Sequence, residues 1–275
     1  MSQLLDTIVQ ATRVRVEERK ACCPQSELER RIQDAPDVRP LSAALSSTEF
    51  SVIAEHKVRS PSGGDMLPSN LERCLDVYAS TPWISAVSVL TNEDHFKGSL
   101  DDLVRVRSRC GARPVLRKDF IVDEYQVYEA RAFGADAMLL MTAVHAHSPE
   151  LFKRLFQLAT ELGLDCLIEI GMGDGDPAEL SKMVPPAARV WGVNARAFVG
   201  SLDGTARESR ESVQSGGADL LTSLDRHDDM FHLVPAGALA VAESGIRNAD
   251  DLIQTAAKGY RAALIGTAFL KGHPW

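Results

Sequence analysis

The sequence predicts an α/β protein built as a single (β/α)8 TIM barrel, and three observations support this class. From residue 51 onward, short apolar runs of strand length alternate with amphipathic segments of helix length. Such alternation implies parallel strands joined by right-handed crossovers, and eight repeats fit a closed barrel better than an open doubly wound sheet. No GxGxxG motif follows the first predicted strand, which counts against a dinucleotide-binding sheet.

The predicted strands are short runs rich in Val, Ile, Leu and Ala. They cover residues 51–57, 84–90, 113–120, 135–141, 165–170, 189–194, 238–244 and 262–266. Helical patterns such as SPELFKRLFQLATELG and NADDLIQTAAKG lie between them, several with Asn, Ser or Asp at the start and Gly after the last turn. We expect one domain over residues 1–275, with the barrel at 49–275.

Three segments depart from a plain barrel. Residues 1–48 read as an N-terminal helical extension, because apolar residues recur there at helical spacing. The connection between strands six and seven, residues 195–237, is an enlarged and largely polar loop. After strand eight only TAFLKGHPW remains, which predicts a truncated last helix. We expect the N-terminal extension, or a partner chain, to cover the outer side of strands eight and one.

Composition narrows the class of protein. A hydrophobic content of 45% with 25% charged residues is typical of a globular protein, and no run reaches the roughly 20 apolar residues of a membrane span. The N-terminus lacks a signal-peptide pattern, so we predict a cytoplasmic protein. A net charge of −8 argues against a nucleic-acid surface. The odd number of cysteines, five, without a CxxC pair predicts reduced thiols rather than disulfides or a zinc site.

Polar side chains recur at the carboxyl ends of the predicted strands. The alternation of side chains along a strand turns these positions toward the barrel axis. They are Glu55, Lys57, Lys118, Glu169, Asn194 and Glu243. Barrel enzymes build their active sites at this face, so the convergence of two lysines, three glutamates and an asparagine predicts an active site there.

Two glycines suggest the chemical class of the substrate. Gly245 and Gly266 follow strands seven and eight, where barrels commonly bind phosphate through backbone N–H groups and a helix N-terminus. Glycine allows the backbone to approach the anion closely. Together with Lys57, these two positions predict a phosphorylated small-molecule substrate.

Several segments resemble the signature segments of the indole-3-glycerol phosphate synthase family, in order from about residue 50 to about residue 270. They include VIAEHKVRSPSGG, LRKDFIVDEYQVYEARAFGADAMLL, LIEI, GVNARAF, AESGI and LIGTAFLK. The resemblance implies a carboxy-lyase of tryptophan biosynthesis that acts without a metal or organic cofactor. Its reaction converts 1-(2-carboxyphenylamino)-1-deoxyribulose 5-phosphate to indole-3-glycerol phosphate by ring closure, decarboxylation and dehydration.

The resemblance also implies roles for individual residues. Lys118 corresponds to the general acid at the substrate carbonyl, and Glu169 to the acid–base residue of the dehydration. Lys57 corresponds to the lysine that holds the substrate carboxylate and assists the chemistry, and Glu55 would orient it. The remaining substrate contacts would come from Asn194, Arg196, Glu243 and Ser244, from Phe96 and Phe120 around the aromatic ring, and from Ser60, Gly245, Gly266 and Thr267 at the phosphate.

Some features leave alternatives open. Ala195 stands where family members usually carry a second Asn, and the enlarged loop adjoins the active face. A catalytically silent or regulatory paralogue, and another phosphate-binding barrel resembling phosphoribosylanthranilate isomerase, are the alternatives. His145 and His147 form an HxH pair, but no third ligand is evident and no metal site is predicted. A homo-oligomer or a partner enzyme of the same pathway is compatible with the sequence.

Overall fold

A closed barrel of eight parallel strands forms the centre of the computed structural model and confirms the predicted fold class. The structure describes residues 3–60, 64–171, 175–198, 220–222 and 225–266. The barrel strands are β1 (Ser51–His56), β2 (Ile84–Leu90), β3 (Val115–Lys118), β4 (Ala137–Met141), β5 (Asp165–Ile170), β6 (Val190–Asn194), β7 (Leu239–Glu243) and β8 (Ala262–Ile265). All eight lie within the predicted runs.

Each strand pairs with its neighbours in sequence, and β1 pairs with β8 to close the barrel. The register places Glu169 beside Gly192, and Asn194 beside Glu243, at the carboxyl ends of β5, β6 and β7. Side chains two residues earlier on the same faces, including Leu167 and Val241, are buried in the barrel interior. The predicted inward register of the charged residues is therefore the observed one.

Helices surround the barrel, and several begin at side chains that cap them. The helices are α1 (Gln3–Cys22), α2 (Gln25–Gln33), α3 (Leu41–Ser46), α4 (Pro68–Ser80), α5 (Glu93–Phe96), α6 (Leu100–Arg109), α7 (Glu124–Ala132), α8 (Pro149–Glu161), α9 (Pro177–Ser181), α10 (Asp225–Phe231) and α11 (Ala249–Ala257). Ser99, Asp123 and Asn248 accept hydrogen bonds from backbone N–H groups in the first turns of α6, α7 and α11. Such caps satisfy donors that the helix itself leaves unpaired.

The N-terminal extension is helical, as predicted, but it does not cover the predicted side of the barrel. In α1, Leu5 and Val9 belong to the same buried apolar cluster as Phe120 and Val144, which follow the carboxyl ends of β3 and β4. The second helix, α2, packs along α7. The prediction that this segment covers β8 and β1 is wrong, because the apolar stripe of a helix can be read from sequence whereas the surface that receives it cannot.

The short helix α3 closes the opposite end of the barrel. Leu41 and Leu45 are fully buried among interior side chains such as Ile53 and Leu116. The helix contacts both β2 and β7, which lie on different sides of the barrel. It therefore spans the amino-terminal mouth and excludes water from the interior beneath the site.

The enlarged connection between β6 and β7 contains two short antiparallel strands, Arg196–Phe198 and Leu220–Thr222, and then α10. A second small hairpin, Arg59–Ser60 with Gly64–Asp65, follows β1. The predicted truncation after β8 concerns residues that lie outside the described ones. Among the residues that the structure describes, none of the helices has the length and apolar composition needed to cross a bilayer.

A buried charge cluster joins β3 to the N-terminal extension. Arg117 is completely buried, and its guanidinium lies 3.1 Å from Asp119 and 3.2 Å from Glu129 of α7. Glu129 also pairs with Arg19 of α1 at 2.9 Å. Burial alone would lower the pKa of Arg117, but the charges of Glu129 and Asp119 outweigh burial and raise it. The cluster connects α1 to the strand that carries Lys118.

We expect Arg117→Met to lower the free energy of unfolding by about 3 to 5 kcal/mol, because Asp119 would remain buried without its counter-charge and Glu129 would keep only Arg19. The double variant with Glu129→Gln should recover part of the loss. Lys182→Met, which removes only an exposed ion pair with Glu179, should cost about 1 kcal/mol or less. Urea unfolding measures all three, and equal losses in Arg117→Met and Lys182→Met would contradict the prediction.

Candidate active site

A lysine and two glutamates meet at the carboxyl end of the barrel. The Nζ atom of Lys118 lies 2.6 Å from Oε2 of Glu243 and 3.3 Å from Oε2 of Glu169. Asn194 donates a hydrogen bond from Nδ2 to the same Glu169 oxygen at 3.1 Å. These four side chains come from β3, β5, β6 and β7, so the closed barrel is what brings them together.

A second ion pair lies at the end of β1. The Nζ atom of Lys57 is 2.5 Å from Oε2 of Glu55, and each residue is only 6% exposed. Lys118 contributes to the electrostatic environment of Glu55, so the two charge groups act on one another. The sequence pattern predicted this pair: two opposite charges, separated by one residue, on the same face of the chain.

Burial and charge oppose each other at Lys118. Burial alone would lower its pKa, but the carboxylates of Glu243, Glu169 and Glu55 outweigh burial and raise it. Burial raises the pKa of Glu243, with Glu169 adding to the rise and Lys118 opposing it. Burial would raise the pKa of Glu55, but Lys57 and Lys118 overcome that effect and lower it. Lys118 is thus held as an ammonium ion, which is a proton donor inside a partly dry site.

The end of β7 turns sharply after Glu243. Ser244 has φ 68° and Gly245 has φ 82°, so two successive residues adopt the left-handed conformation. Glycine takes this conformation without penalty, whereas a serine there is strained by about 1 to 3 kcal/mol. Such strain is found where the surroundings fix the backbone, and functional sites are common examples.

Two glycines leave room for the buried charges. A Cβ atom on Gly192 would overlap Oε1 of Glu243, and a Cβ atom on Gly266 would overlap Oε2 of Glu55 and approach Nζ of Lys57 within 2.7 Å. Gly266 was predicted as a phosphate-binding position, whereas the steric role of Gly192 was missed. Its signal in the sequence is a glycine at an inward position of a strand, directly opposite a glutamate.

The other predicted residues lie around these charges or outside the described part of the chain. Phe96 and Phe120 stack, with ring centroids 6.4 Å apart and planes at 27°. The backbone N–H of Arg196 donates to Oδ1 of Asn194 at 3.1 Å. Ser60 lies in the small hairpin that follows β1, and Thr267 is outside the described residues.

The HxH pair is divided between the core and the surface. Nε2 of His145 lies 2.9 Å from the carbonyl oxygen of Ile121, and its ring packs against Phe152 at 5.7 Å. His147 is exposed. Across the described ranges, no three His, Cys, Asp or Glu side chains are grouped so that they could hold a metal ion.

The fold and the site define a barrel enzyme with a buried ammonium–carboxylate centre suited to acid–base chemistry. The chain belongs to the indole-3-glycerol phosphate synthase family, whose family model matches residues 5–204. This membership confirms the predicted function and the predicted enzyme class, a carboxy-lyase.

Relatives named indole-3-glycerol phosphate synthase cover nearly the whole chain. The protein from Nocardioides sp. is 38% identical, over 98% of this chain and 93% of its own length. The protein from Lachnospira eligens is 36% identical, over 98% of this chain and 92% of its own. The protein from Leptospira interrogans is 39% identical over 84% of this chain and 81% of its own. The similarity therefore continues beyond residue 204.

We expect Gly192→Ala to push the Glu243 carboxylate away from Lys118 and to lower kcat roughly tenfold or more, since small misplacements of reacting groups are costly. Overpacking should also cost about 1 to 3 kcal/mol of stability. Val193→Ala, on the outer face of the same strand, is the control for lost stability with the site intact. Steady-state kinetics measures kcat, and thermal unfolding measures stability. An unchanged kcat in Gly192→Ala would contradict the steric role of Gly192.

Acid should destabilise the fold through its buried histidines. Burial lowers the pKa of His145 and of His56 to about 4, well below the ordinary value of about 6.5. Between these values the unfolded chain binds more protons, so the free energy of unfolding falls as the pH falls. The expected loss from His145 is on the order of 2 to 3 kcal/mol between about pH 7 and about pH 4.

His145→Asn should therefore make the pH dependence of unfolding shallower, with the His56 contribution left in place. His147→Asn is the matched control, because that exposed side chain gains little from folding. Urea unfolding across the pH range measures both. Identical pH profiles for the two variants would show that the buried imidazole does not set the acid sensitivity.

Proposed function

We propose that the chain converts 1-(2-carboxyphenylamino)-1-deoxyribulose 5-phosphate to indole-3-glycerol phosphate, with release of carbon dioxide and water. The observation that carries this proposal is the contact of one half-buried ammonium, Lys118, with the buried carboxylates of Glu169 and Glu243. Three proton-transferring groups on one site suit a reaction that must both protonate a carbonyl oxygen and expel a hydroxyl group. Family membership supports the same reaction.

In the first stage, Lys118 donates a proton to the ribulose carbonyl oxygen. The aromatic carbon that bears the carboxylate bonds to the carbonyl carbon, and the oxygen becomes a hydroxyl group. Loss of carbon dioxide then breaks the bond from that ring carbon to the carboxylate and restores aromaticity. Because the site is buried, the positive charge of Lys118 acts strongly on the developing oxyanion.

In the second stage, the new hydroxyl group leaves as water. We assign the proton transfers of this dehydration to Glu169, whose Oε2 is already held by Asn194 and Lys118. Its Oε1 atom is buried and accepts no hydrogen bond within the described residues. That oxygen is therefore available to a hydroxyl or amine group of the substrate.

The remaining predicted residues are assigned to binding. Lys57, oriented by Glu55, would hold the substrate carboxylate and assist the chemistry, and Phe96 with Phe120 would flank the aromatic ring. The polar side chains at the ends of β6 and β7 would bind the substrate hydroxyl groups. They are Asn194, Arg196, Glu243 and Ser244. The substrate phosphate would bind at Ser60, Gly245, Gly266 and Thr267.

We also propose that residues 1–275 form one domain and that the protein works in the cytoplasm. The packing of α1 and α3 against opposite mouths of the barrel supports the first point. The five free thiols support the second, because reducing compartments keep cysteines unpaired. Neither the silent paralogue nor the isomerase-like barrel has an observation in its favour, since the described residues keep every predicted charged side chain.

Lys118→Met tests the assignment of the acid. We expect turnover to fall about 10²- to 10⁴-fold, as is typical when a positioned general acid is removed, while KM changes far less because the phosphate grip lies on β7 and β8. Single-turnover release of carbon dioxide measures ring closure with decarboxylation, and circular dichroism checks the fold. Near-wild-type ring closure in the variant would show that Lys118 is structural.

Glu169→Gln should also depress turnover, but at the later stage. Ring closure and decarboxylation should proceed, so a decarboxylated and still hydroxylated intermediate should accumulate, detectable by rapid quench and mass spectrometry. The matched control is Glu179→Gln, which makes the same chemical change at an exposed position of α9 and should leave turnover unchanged. Loss of carbon dioxide release in Glu169→Gln would overturn the assignment of this residue to dehydration.

A further inference from the structure

A buried histidine from α10 contacts the end of the strand that carries Glu243. His227 is 1% exposed, and its Nε2 atom lies 3.0 Å from the carbonyl oxygen of Glu243. The backbone N–H of Ala195 donates to the same oxygen at 3.0 Å. A carbonyl oxygen has two lone pairs and can accept both bonds. The end of β7 is therefore held from two sides, by the chain that leaves β6 and by α10.

The position of His227 is itself fixed by its neighbours. Tyr260 donates a hydrogen bond from its hydroxyl group to the carbonyl oxygen of His227 at 3.0 Å, and the two rings pack edge to face at 5.6 Å. One turn later, Met230 packs so closely on Gly171, just after β5, that a Cβ atom there would overlap its sulfur. Both the backbone and the ring of His227 are thus anchored to the barrel.

The contacted carbonyl belongs to the peptide unit between Glu243 and Ser244. Rotation of this unit changes the ψ angle of Glu243 and the left-handed φ of Ser244, so the two hydrogen bonds fix the backbone at the residue that carries the Glu243 carboxylate. A non-glycine residue in that conformation persists only where the surroundings over-determine it. Two hydrogen bonds to one carbonyl oxygen supply such a constraint directly beside a group that contacts Lys118.

We propose that His227 is a positioning residue for the reaction, which fixes the peptide after Glu243 so that the Glu243 carboxylate meets Lys118. The inference rests on the proposed function. It gives the last part of the enlarged connection a role in the site, because α10 is where that connection rejoins the barrel.

The contact requires one particular tautomer of the imidazole. A carbonyl oxygen only accepts, so the Nε2 atom of His227 must carry a proton. Burial and the charge of Lys258 lower the pKa of His227, against the opposing effects of the backbone carbonyls of Glu243 and Val193 and of the charge of Asp228. The neutral ring then places its single proton on Nε2.

The variants His227→Leu and His227→Gln separate positioning from packing. Leucine fills space but cannot donate, whereas the glutamine amide can donate to the Glu243 carbonyl from a similar place. We expect kcat to fall roughly tenfold or more in His227→Leu, and by much less in His227→Gln, at matched fractions of folded protein. Asp229→Asn, at an exposed position of the same helix, should leave kcat unchanged.

The outcomes distinguish this inference from the proposed function. If the wild-type protein forms no product, the proposed function fails and the inference with it. If the wild type is active but His227→Leu keeps its kcat, or if His227→Gln loses as much as His227→Leu, only the inference fails. Should His227→Leu not fold, ¹⁵N-histidine NMR of the wild type decides, because a proton on Nδ1 instead of Nε2 would overturn the contact.

Discussion

The partial burial of the Lys118 ammonium among buried carboxylates is the constraint on which the rest of the site depends. An unpaired ammonium at such a depth would lose its proton, because desolvation favours the neutral amine. Glu243 and Glu169 prevent this at 2.6 and 3.3 Å. Their own burial then has to be compensated, so Asn194 donates to Glu169, and Gly192 leaves the space that the Glu243 carboxylate fills.

The strand that carries Lys118, β3, has charged residues on both of its faces. Lys118 points into the barrel, while Arg117 and Asp119 belong to the buried cluster with Glu129 and Arg19. The cluster ties β3 to α7 and to α1, so the strand end that presents Lys118 is fixed from outside as well as from inside. Charged groups on the outer face of β3 therefore help to position Lys118 on its inner face. Their burial costs free energy that apolar residues of similar size would not.

The sequence was sufficient for the barrel and for its charged centre because both follow from short-range rules. Alternation along a strand turns Glu55, Lys118, Glu169, Asn194 and Glu243 inward, and parallel topology brings their strand ends to one face. The number and the limits of the strands follow from the apolar runs in the same way. These predictions need the position of a residue within its own strand and no knowledge of distant contacts.

The parts that the sequence did not reveal depend on contacts between distant segments. The apolar stripe of α1 was recognisable, but its docking near β3 and β4 depends on pairs such as Arg19 with Glu129, which are 110 residues apart in sequence numbering. His227 lies in a polar segment without a strand register to orient it. Gly192 could have been found, since a glycine at an inward position opposite a charged residue signals close approach.

The enlarged connection between β6 and β7 can be accommodated because its two ends carry the constraint. The entropic cost of closing a loop grows slowly with its length, so added residues between fixed ends cost little. Here the first end supplies the N–H of Ala195 and the last end supplies the imidazole of His227, and both donate to the carbonyl of Glu243. The length between them can therefore vary while the geometry at Glu243 stays the same.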